Sequence, residues 1–339
     1  MVFRGQTLGK YKIIEPLGSG GFGTVYLAED TWIDKRVALK VPHRQGLDFG
    51  ELLREPRLLA SLNHPNIVTV ITAEKQDNVF FIVMEYVPGE TLENIIGAKG
   101  GLDLALTLDY TCQICNAVDH AHKQGVLHRD LRPANVFVNE KGLLKVGDFG
   151  TSRILEVAAH GTTVIGSPPY MAPEQFEGRA VFASDLYSLG VTMYQMLTGT
   201  LPYDTPSPSD LDRLRRGELT APLRSRNSSV PQIIDDIVMR AMAPDVASRY
   251  QRAEDLLNDL LNARRELPRK TPPESPVVSI PGGTIAARQA PPARAPQART
   301  PAIPKTPRTR DLAAMRFCWQ CRKPLPARAT KCPFCGETQ

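Results

Sequence analysis

The stretch GVLHRDLRPANVFV, residues 125–138, places a carboxylate, a guanidinium and a carboxamide close together between apolar runs. Asp130 and Asn135 are five residues apart, with Arg132 and Pro133 between them. A carboxylate can accept a proton, and carboxylate and amide oxygens are ligands that Mg²⁺ accepts. A polar cluster of this size could also be an ordinary turn, so its meaning depends on the partners that the rest of the chain supplies.

Three further stretches carry residues suited to phosphate chemistry. LGSGGFGTVY places Gly18, Gly20 and Gly23 in a G-x-G-x-x-G pattern, and glycine lets the backbone approach a phosphate closely. Strand-like TVYLAE follows where a dinucleotide-binding pattern needs a helix, so a hairpin that covers a nucleotide fits better. Lys40 lies within the apolar strand VALKV, where it either extends to solvent or pairs with an anion. Asp148 follows a short apolar strand in KVGDFG.

All six cysteines fall in C-x-x-C pairs, but the pairs differ in their surroundings. Cys112 and Cys115 lie in an apolar helical stretch, which predicts buried packing residues. The C-terminal pairs follow C-x₂-C-x₁₀-C-x₂-C, which predicts a structural Zn²⁺ site, although the inner gap is shorter than in many such sites. The predicted zinc ligands are Cys318, Cys321, Cys332 and Cys335. A redox pair and a disordered tail are the alternatives.

Charge and composition divide the chain of 339 residues. Residues 264–316 carry 11 Lys and Arg against 3 Asp and Glu, and 11 of the 29 prolines lie between Pro268 and Pro307. We therefore predict a disordered linker at 266–313, followed by a zinc ribbon at 314–339.

No apolar run approaches the ~18 residues of a membrane span, and the N-terminus lacks a signal-peptide core. A cytoplasmic protein without a membrane partner is expected.

The periodicity of residues 1–263 changes from strand-like to helix-like along the chain. Up to residue 86 the pattern predicts strands, interrupted by one helical segment at 49–63. After Gly89 most segments have helical spacing. A strand-rich half followed by a helix-rich half predicts an α+β chain with a cleft between two lobes.

Taken together, these stretches resemble the eukaryotic-type serine/threonine protein kinases, in a bacterial-looking form. The matching motifs are GSGGFGTV at 18–25, VALK at 37–40, HRDLRPAN at 128–135, DFG at 148–150, APE at 172–174, DLYSLG at 185–190 and Arg249. The resemblance implies a bilobal protein kinase fold over 11–265, with an N-lobe at 11–86 and a C-lobe at 87–265. It also implies transfer of the γ-phosphate of ATP to Ser/Thr hydroxyls of proteins, with Mg²⁺ or Mn²⁺.

The resemblance assigns catalytic roles to particular residues. Asp130 would orient the substrate hydroxyl and accept its proton, while Arg132 would keep a positive charge near the γ-phosphate where the family usually has Lys. Lys40 would hold the α- and β-phosphates and pair with Glu55. Pro56 follows Glu55 directly, so a kinked or late-starting helix is expected there.

Further residues would surround the nucleotide or brace the site. Those around ATP are Leu17, Gly18, Gly20, Gly23, Val25, Ala38, Met84, Glu85, Val87 and Phe137. The apolar members would sandwich the adenine, with Met84 at the back of the pocket and backbone groups of Glu85 and Val87 facing the base. Asn135 and Asp148 would bind Mg²⁺. The predicted braces are Asp185 under the loop 128–135 and a Glu174–Arg249 pair.

The segment between DFG and APE favours a protein acceptor over a small molecule. Ser167 lies where serine/threonine kinases place a hydroxyl beside the catalytic Asp, and LRPAN favours Ser/Thr over Tyr. Arg129 precedes Asp130, which predicts autophosphorylation at Thr162 or Thr163. A non-catalytic ATP-binding scaffold and a nucleic-acid-binding regulator are the alternatives. The linker lacks aromatic residues for base stacking, so a protein partner is favoured for the ribbon.

Overall fold

The computed structural model describes residues 2–20, 23–43, 59–149 and 167–267, together with 316–317, 324–325 and residue 331. It divides into two compact units, Met1–Thr271 and Pro272–Gln339. In the second unit the described residues include two short antiparallel strands, Arg316–Phe317 and Pro324–Leu325. The four cysteines of the predicted zinc site lie outside the described residues.

The first unit begins with a six-stranded antiparallel sheet. Its strands are β1 (Thr7–Leu8), β2 (Tyr11–Gly20), β3 (Gly23–Asp30), β4 (Lys35–Pro42), β5 (Val70–Gln76) and β6 (Val79–Glu85). They lie in the order β1-β2-β3-β4-β6-β5. Alternate side chains pack into one core, which includes Tyr11, Ile13, Leu39, Phe81 and Val83. The strand-rich lobe expected from the sequence is confirmed.

The helix predicted at 49–63 falls mostly outside the described residues. Leu59 and Ala60, near its end, are helical, and the Leu59 and Leu62 side chains are buried. Glu55 and Pro56 lie outside the described residues. Their pairing with Lys40 and the expected kink therefore stay predictions.

The second lobe is mainly helical, as expected. Its elements are β7 (Glu90–Thr91), α1 (Leu92–Lys99), α2 (Leu104–Lys123), β8 (Val136–Val138), β9 (Leu144–Val146), α3 (Phe182–Thr198), α4 (Leu211–Arg215), α5 (Leu223–Arg226), α6 (Gln232–Ala241) and α7 (Ala253–Glu266). Strands β7, β8 and β9 form a small antiparallel sheet. Helix α3 is buried along most of its length, and a Cβ at Gly190 would lie 2.8 Å from Met242 Cγ. Through Asp185, this buried helix contacts the loop 128–135.

Helix α2 is amphipathic and holds the first cysteine pair. Asp103 caps its N-terminus, and the Asp103 side chain accepts the Leu106 amide at 2.9 Å. Cys115 is fully buried and Cys112 partly so, which confirms their predicted packing role. Burial raises the pKa of Cys112 to about 11, so this thiol is unreactive near neutral pH. Within the described parts of the chain, no helix is long and apolar enough to cross a membrane.

Candidate active site

Asp185, near the start of α3, holds the loop 128–135. Its buried carboxylate accepts the His128 and Arg129 amides, each at 2.8 Å, and His122 Nε2 lies 2.7 Å from Oδ2. Burial alone would raise the pKa of Asp185, but the His122 hydrogen bond and further contacts with His128 outweigh it and the pKa is lowered. These bonds fix Arg129 at a φ of 68°. The predicted brace at Asp185 is confirmed.

His128 links the same loop to the residues that follow β9. Its side chain is fully buried, with Nε2 2.9 Å from the Gly147 carbonyl. Asp130 donates its backbone amide to Nδ1 at 3.3 Å. Nε2 is therefore placed to donate to the Gly147 carbonyl, while Nδ1 accepts the Asp130 amide. His128 belongs to the motif HRDLRPAN, but the motif alone assigned it no separate role.

Asn135 fixes the position of Asp130. Its Nδ2 donates to the Asp130 carbonyl at 2.8 Å and to Asp130 Oδ2 at 3.2 Å. The Asp130 side chain is 12% exposed, and Oδ1 has no hydrogen-bond partner among the described residues. Asn135 Nδ2 donates to Asp130, so Asn135 Oδ1 is the side-chain atom that can bind another group. Asp130 and Asn135, five residues apart in the sequence, are thus in direct contact.

Lys40 pairs with an anion rather than extending to solvent. Its Nζ lies 2.7 Å from Asp148 Oδ1, and the residue is 5% exposed. Burial would raise the pKa of Asp148, but the charge and hydrogen bond of Lys40 outweigh it, and the pKa is lowered. Asp148 has a φ of 59°, a conformation that non-glycine residues seldom adopt. The pair links the two lobes at the cleft.

The strand registers place three of the predicted adenine-binding residues, Val25, Ala38 and Met84, beside Lys40 or one another in the sheet. Val25 pairs with Lys40 and Ala38 with Met84 across neighbouring strands. A cavity of about 20 Å³ is lined by residues that include Lys40, Met84 and Asp148, whereas Val25, Ala38 and Phe137 do not line it. On the other lobe Phe137 lies in β8 and packs so closely on Gly147 that a Cβ there would be 2.8 Å from Phe137 Cε2.

The end of β6 provides the edge of this region. Glu85 is the last residue of β6, and its amide donates to the Thr69 carbonyl at 2.9 Å. The Glu85 side chain accepts the Thr69 amide and the Lys145 ammonium, each at 2.7 Å. Val87 is half-buried two residues later. Sequence reasoning identified Glu85 but missed Lys145, because the two are 60 residues apart.

The three predicted phosphate-loop glycines have different surroundings. Among the described residues, a Cβ at Gly18 or Gly20 would meet nothing within 4 Å, whereas one at Gly23 would press on the Val41 carbonyl oxygen. Leu17, beside them in β2, is 46% exposed. Gly23 is therefore needed for close packing of β3 on β4, independently of any phosphate.

Gly23→Ala is accordingly expected to lower the free energy of unfolding by about 1–3 kcal/mol, because the methyl group would press on backbone atoms of β4. Gly18→Ala is the matched control, because no described atom lies within 4 Å of the new methyl group. Urea unfolding of both variants, followed by far-UV circular dichroism, measures the difference. Equal midpoints for the two variants would contradict this explanation.

Arg132 lies at the mouth of the site. Its Nε is 3.8 Å from Asp130 Oδ2, and its Nη1 is 3.9 Å from Glu93 Oε1.

Ser167 precedes a 3₁₀ turn, Pro168–Tyr170. Within the described residues its hydroxyl has no hydrogen bond to Asp130. Residues 150–166, and with them Thr162 and Thr163, lie outside the described part.

Glu174 and Arg249 form the predicted pair within the helical lobe. Two parallel hydrogen bonds join them, at 2.7 and 2.8 Å, and the Arg249 side chain is fully buried. Burial would raise the pKa of Glu174, but the hydrogen bonds from Arg249 and Ser184 outweigh it and the pKa is lowered. The next residue, Gln175, donates to the Arg129 carbonyl at 2.9 Å. The pair thereby supports the loop that carries Asp130, a connection that the sequence did not reveal.

Comparison with protein families identifies a match over most of the chain. Residues 11–269 match the model described as "Protein kinase domain". A crystal structure of Rad53 1-466 in complex with AMP-PNP is similar, with a TM-score of 0.63 and 26% sequence identity. The similarity covers 74% of this chain and 64% of that one. The bilobal architecture expected from the sequence is therefore shown.

Bacterial relatives are similar over the same region. The serine/threonine-protein kinase PrkC of Bacillus subtilis is 38% identical over 75% of this chain and 40% of the relative. The serine/threonine-protein kinase PknB of Mycobacterium tuberculosis is 33% identical over 79% of this chain and 44% of the relative. The chain thus spans about two fifths of the length of these relatives.

Proposed function

The chain belongs to the protein kinase domain family, and from that premise we propose that it is an ATP-dependent serine/threonine protein kinase. One observation carries the proposal: Asn135 holds the Asp130 side chain through a hydrogen bond, and Lys40 pairs with Asp148 between the lobes. A scaffold that only bound nucleotide would need neither the carboxylate of Asp130 nor its support by Asn135. The intact set therefore favours catalysis.

Asp130 would act on the acceptor hydroxyl. The hydroxyl oxygen attacks the γ-phosphorus, the bond from that phosphorus to the β–γ bridging oxygen breaks, and the hydroxyl proton passes to the Asp130 carboxylate. Asn135 keeps this carboxylate in place through the 3.2 Å hydrogen bond. Lys40 and Arg132 supply positive charge for the phosphates, Lys40 from inside the cleft and Arg132 at its mouth.

Asn135 and Asp148 fit the predicted Mg²⁺ site. Both offer hard oxygen atoms, which Mg²⁺ and Mn²⁺ prefer. The Asn135 amide is oriented with Nδ2 on Asp130, so Oδ1 is available as a ligand. The lowered pKa of Asp148 keeps its carboxylate ionised at neutral pH. A bound Mg²⁺ would neutralise phosphate charge, and these two side chains would hold it.

The base would bind between the lobes. Val25 and Ala38 on one side and Phe137 on the other supply apolar surface for the adenine ring. The Glu85 amide is bonded to Thr69, so Glu85 would contribute its carbonyl oxygen to the base. The backbone of Val87 would provide the second contact, as the resemblance implied. Protein Ser/Thr side chains are the proposed acceptors, in agreement with the names of the bacterial relatives.

Transfer of labelled γ-phosphate tests the proposal. The full chain is incubated with γ-labelled ATP, Mg²⁺ and matched peptide libraries that carry Ser/Thr or Tyr as the acceptor. Label on Ser/Thr peptides alone is the expected result. Nucleotide binding without transfer would instead support the scaffold, and label on Tyr peptides would contradict the assigned specificity.

We also propose activation by autophosphorylation at Thr162 or Thr163. Arg129 precedes Asp130 and is held by Asp185, so a phosphothreonine bonded to its guanidinium would act directly on the catalytic loop. Mass spectrometry of active protein should find phosphate on one of these threonines. A Thr162→Ala/Thr163→Ala double variant should lose most of its activity, and full activity would exclude the idea. Ser167→Ala is the comparison variant, because the Ser167 hydroxyl is expected to have a structural role and to remain largely unphosphorylated.

For the C-terminal cysteines we propose one structural Zn²⁺ and a recruitment role through a protein partner. Cys318, Cys321, Cys332 and Cys335 would fill a tetrahedral site, which leaves no open position for catalysis. Elemental analysis should find about one zinc per chain. Cys332→Ser should lose it, whereas Cys112→Ser, which changes a thiol packed in the first unit, should retain it. Zinc content unchanged in Cys332→Ser would exclude this site. Reduced, metal-binding thiols would fit the proposed cytoplasmic location.

A further inference from the structure

Lys145 and Glu85 form an ion pair between the lobes, beside the proposed adenine site. Lys145 Nζ lies 2.7 Å from Glu85 Oε1, with side chains only 16% and 26% exposed. The same ammonium donates to the Ile67 carbonyl at 3.2 Å. Shielding from solvent and a second hydrogen bond distinguish this pair from an exposed surface ion pair, whose geometry is seldom fixed.

The pair restrains the backbone at the end of β6. Thr69 accepts the Glu85 amide at 2.9 Å and donates its own amide to Glu85 Oε1 at 2.7 Å. The main chain and the side chain of Glu85 are therefore both tied to Thr69. Lys145 binds the same Oε1 atom and neutralises the carboxylate. Without Lys145, the carboxylate would be freer to turn toward water and release Thr69.

The other end of the pair lies in the opposite wall. Lys145 is the central residue of β9 and pairs in register with Phe137 of β8. Its neighbour Val146 is fixed by hydrogen bonds with Asn66 and Val68. Lys145 thus connects the strand pair that carries Phe137 with the residue whose carbonyl would face the base.

We propose that Lys145 is a positioning residue for the nucleotide base, which sets both adenine affinity and the preference for adenine over guanine. The inference rests on the proposed function. The adenine amino group is a donor, whereas guanine has an acceptor oxygen at the same position of the ring. A fixed Glu85 carbonyl therefore attracts adenine and repels guanine, and a carbonyl that can turn away distinguishes them less well.

Three variants test this role. Lys145→Met removes the charge and keeps a long side chain, Lys145→Arg keeps the charge, and Lys141→Met changes an exposed lysine in the same β8–β9 hairpin. Calorimetry gives the Kd for ADP and GDP, and steady-state kinetics gives KM and kcat with ATP. For Lys145→Met we expect about a tenfold rise in the Kd for ADP and in KM, which corresponds to the loss of about one hydrogen bond between the adenine amino group and the Glu85 carbonyl.

The selectivity ratio identifies a positioning role. In Lys145→Met the ADP preference over GDP should fall by about the same factor, while kcat changes less than about twofold. Lys145→Arg should restore most of the affinity, and Lys141→Met should match the wild type. An unchanged ADP affinity, an equal loss for ADP and GDP, or a fall in kcat alone would overturn the proposal.

Binding measurements separate this inference from the proposed function. If the wild-type chain binds ADP but transfers no phosphate, the kinase proposal fails and the ADP-to-GDP ratio still decides the role of Lys145. If the wild-type chain binds no adenine nucleotide, both proposals fail. A Glu85→Gln/Lys145→Met double variant adds a final check. Expressed as a free energy, its loss of ADP affinity should be smaller than the sum of the losses in the two single variants.

Discussion

Asp130→Asn is expected to lower kcat by about 10²–10⁴-fold and to leave the Kd for ADP unchanged. The substitution keeps the size of the side chain and removes the group that would accept the hydroxyl proton. Asn135 and Arg132 both contact the same carboxylate oxygen, Oδ2. In Asp130→Asn the side-chain amide oxygen can take the place of Oδ2 and keep both contacts. The loss should therefore appear in the chemical step rather than in folding or nucleotide binding.

The measurement compares labelled phosphate transfer and ADP calorimetry for wild type and variant. Asp212→Asn is the matched control, because it makes the same chemical change on a side chain that is 78% exposed in α4. It should behave as the wild type in both assays. Transfer by Asp130→Asn at the wild-type rate would exclude a catalytic role for Asp130 and with it the proposed mechanism.

Arg249→Met is expected to lower the free energy of unfolding by about 3–5 kcal/mol, because it leaves the Glu174 carboxylate buried without its partner. Arg249 donates two hydrogen bonds to Glu174 and another to the Pro244 carbonyl, and its guanidinium lies 4.8 Å from the Tyr187 ring centroid. After the substitution, Glu174 still accepts the hydrogen bond from the Ser184 hydroxyl at 2.6 Å. Urea unfolding of the full chain, followed by far-UV circular dichroism, measures the loss.

The pH dependence of this loss tests its cause. In the wild type the pKa of Glu174 is lowered, so its contribution to stability is present above its unfolded pKa of about 4.3 and is lost as pH falls through the folded value. Without Arg249, burial would raise the pKa of Glu174 instead. The variant should then lose stability as pH rises through that raised value, so the difference from wild type should be smaller at pH 5 than at pH 7.

Two controls separate the buried charge from a general effect of removing arginine. Arg252→Met breaks an exposed ion pair with Asp255 in the same lobe and should barely move the urea midpoint. Glu174→Gln/Arg249→Met leaves no unpaired charge and should be more stable than Arg249→Met. An Arg249→Met chain with a wild-type midpoint, or a loss that does not change with pH, would contradict the explanation.

Much of the site could be predicted from the sequence, because its residues lie in short motifs whose local geometry is set by neighbouring residues. Asp130 and Asn135 are five residues apart on one loop, so their hydrogen bond follows from a single local conformation. Alternating apolar residues predicted the strands around Lys40, and helical spacing predicted α2 and α3. The bracing roles of Asp185 and of the Glu174–Arg249 pair were predicted from the resemblance of their motifs to those of protein kinases.

Contacts between distant segments were decided by the tertiary structure alone. The sequence left open whether Lys40 extended to solvent, and only the closure of the two lobes places its ammonium against Asp148, 108 residues away. Gly23 looked like a phosphate-loop glycine, but the register of β3 on β4 gives it a packing role as well. Lys145 had no motif signal, since its partner Glu85 lies on the other lobe. Sequence periodicity determines which face of an element is apolar, whereas the pairing of polar side chains depends on how whole elements pack, which no local pattern records.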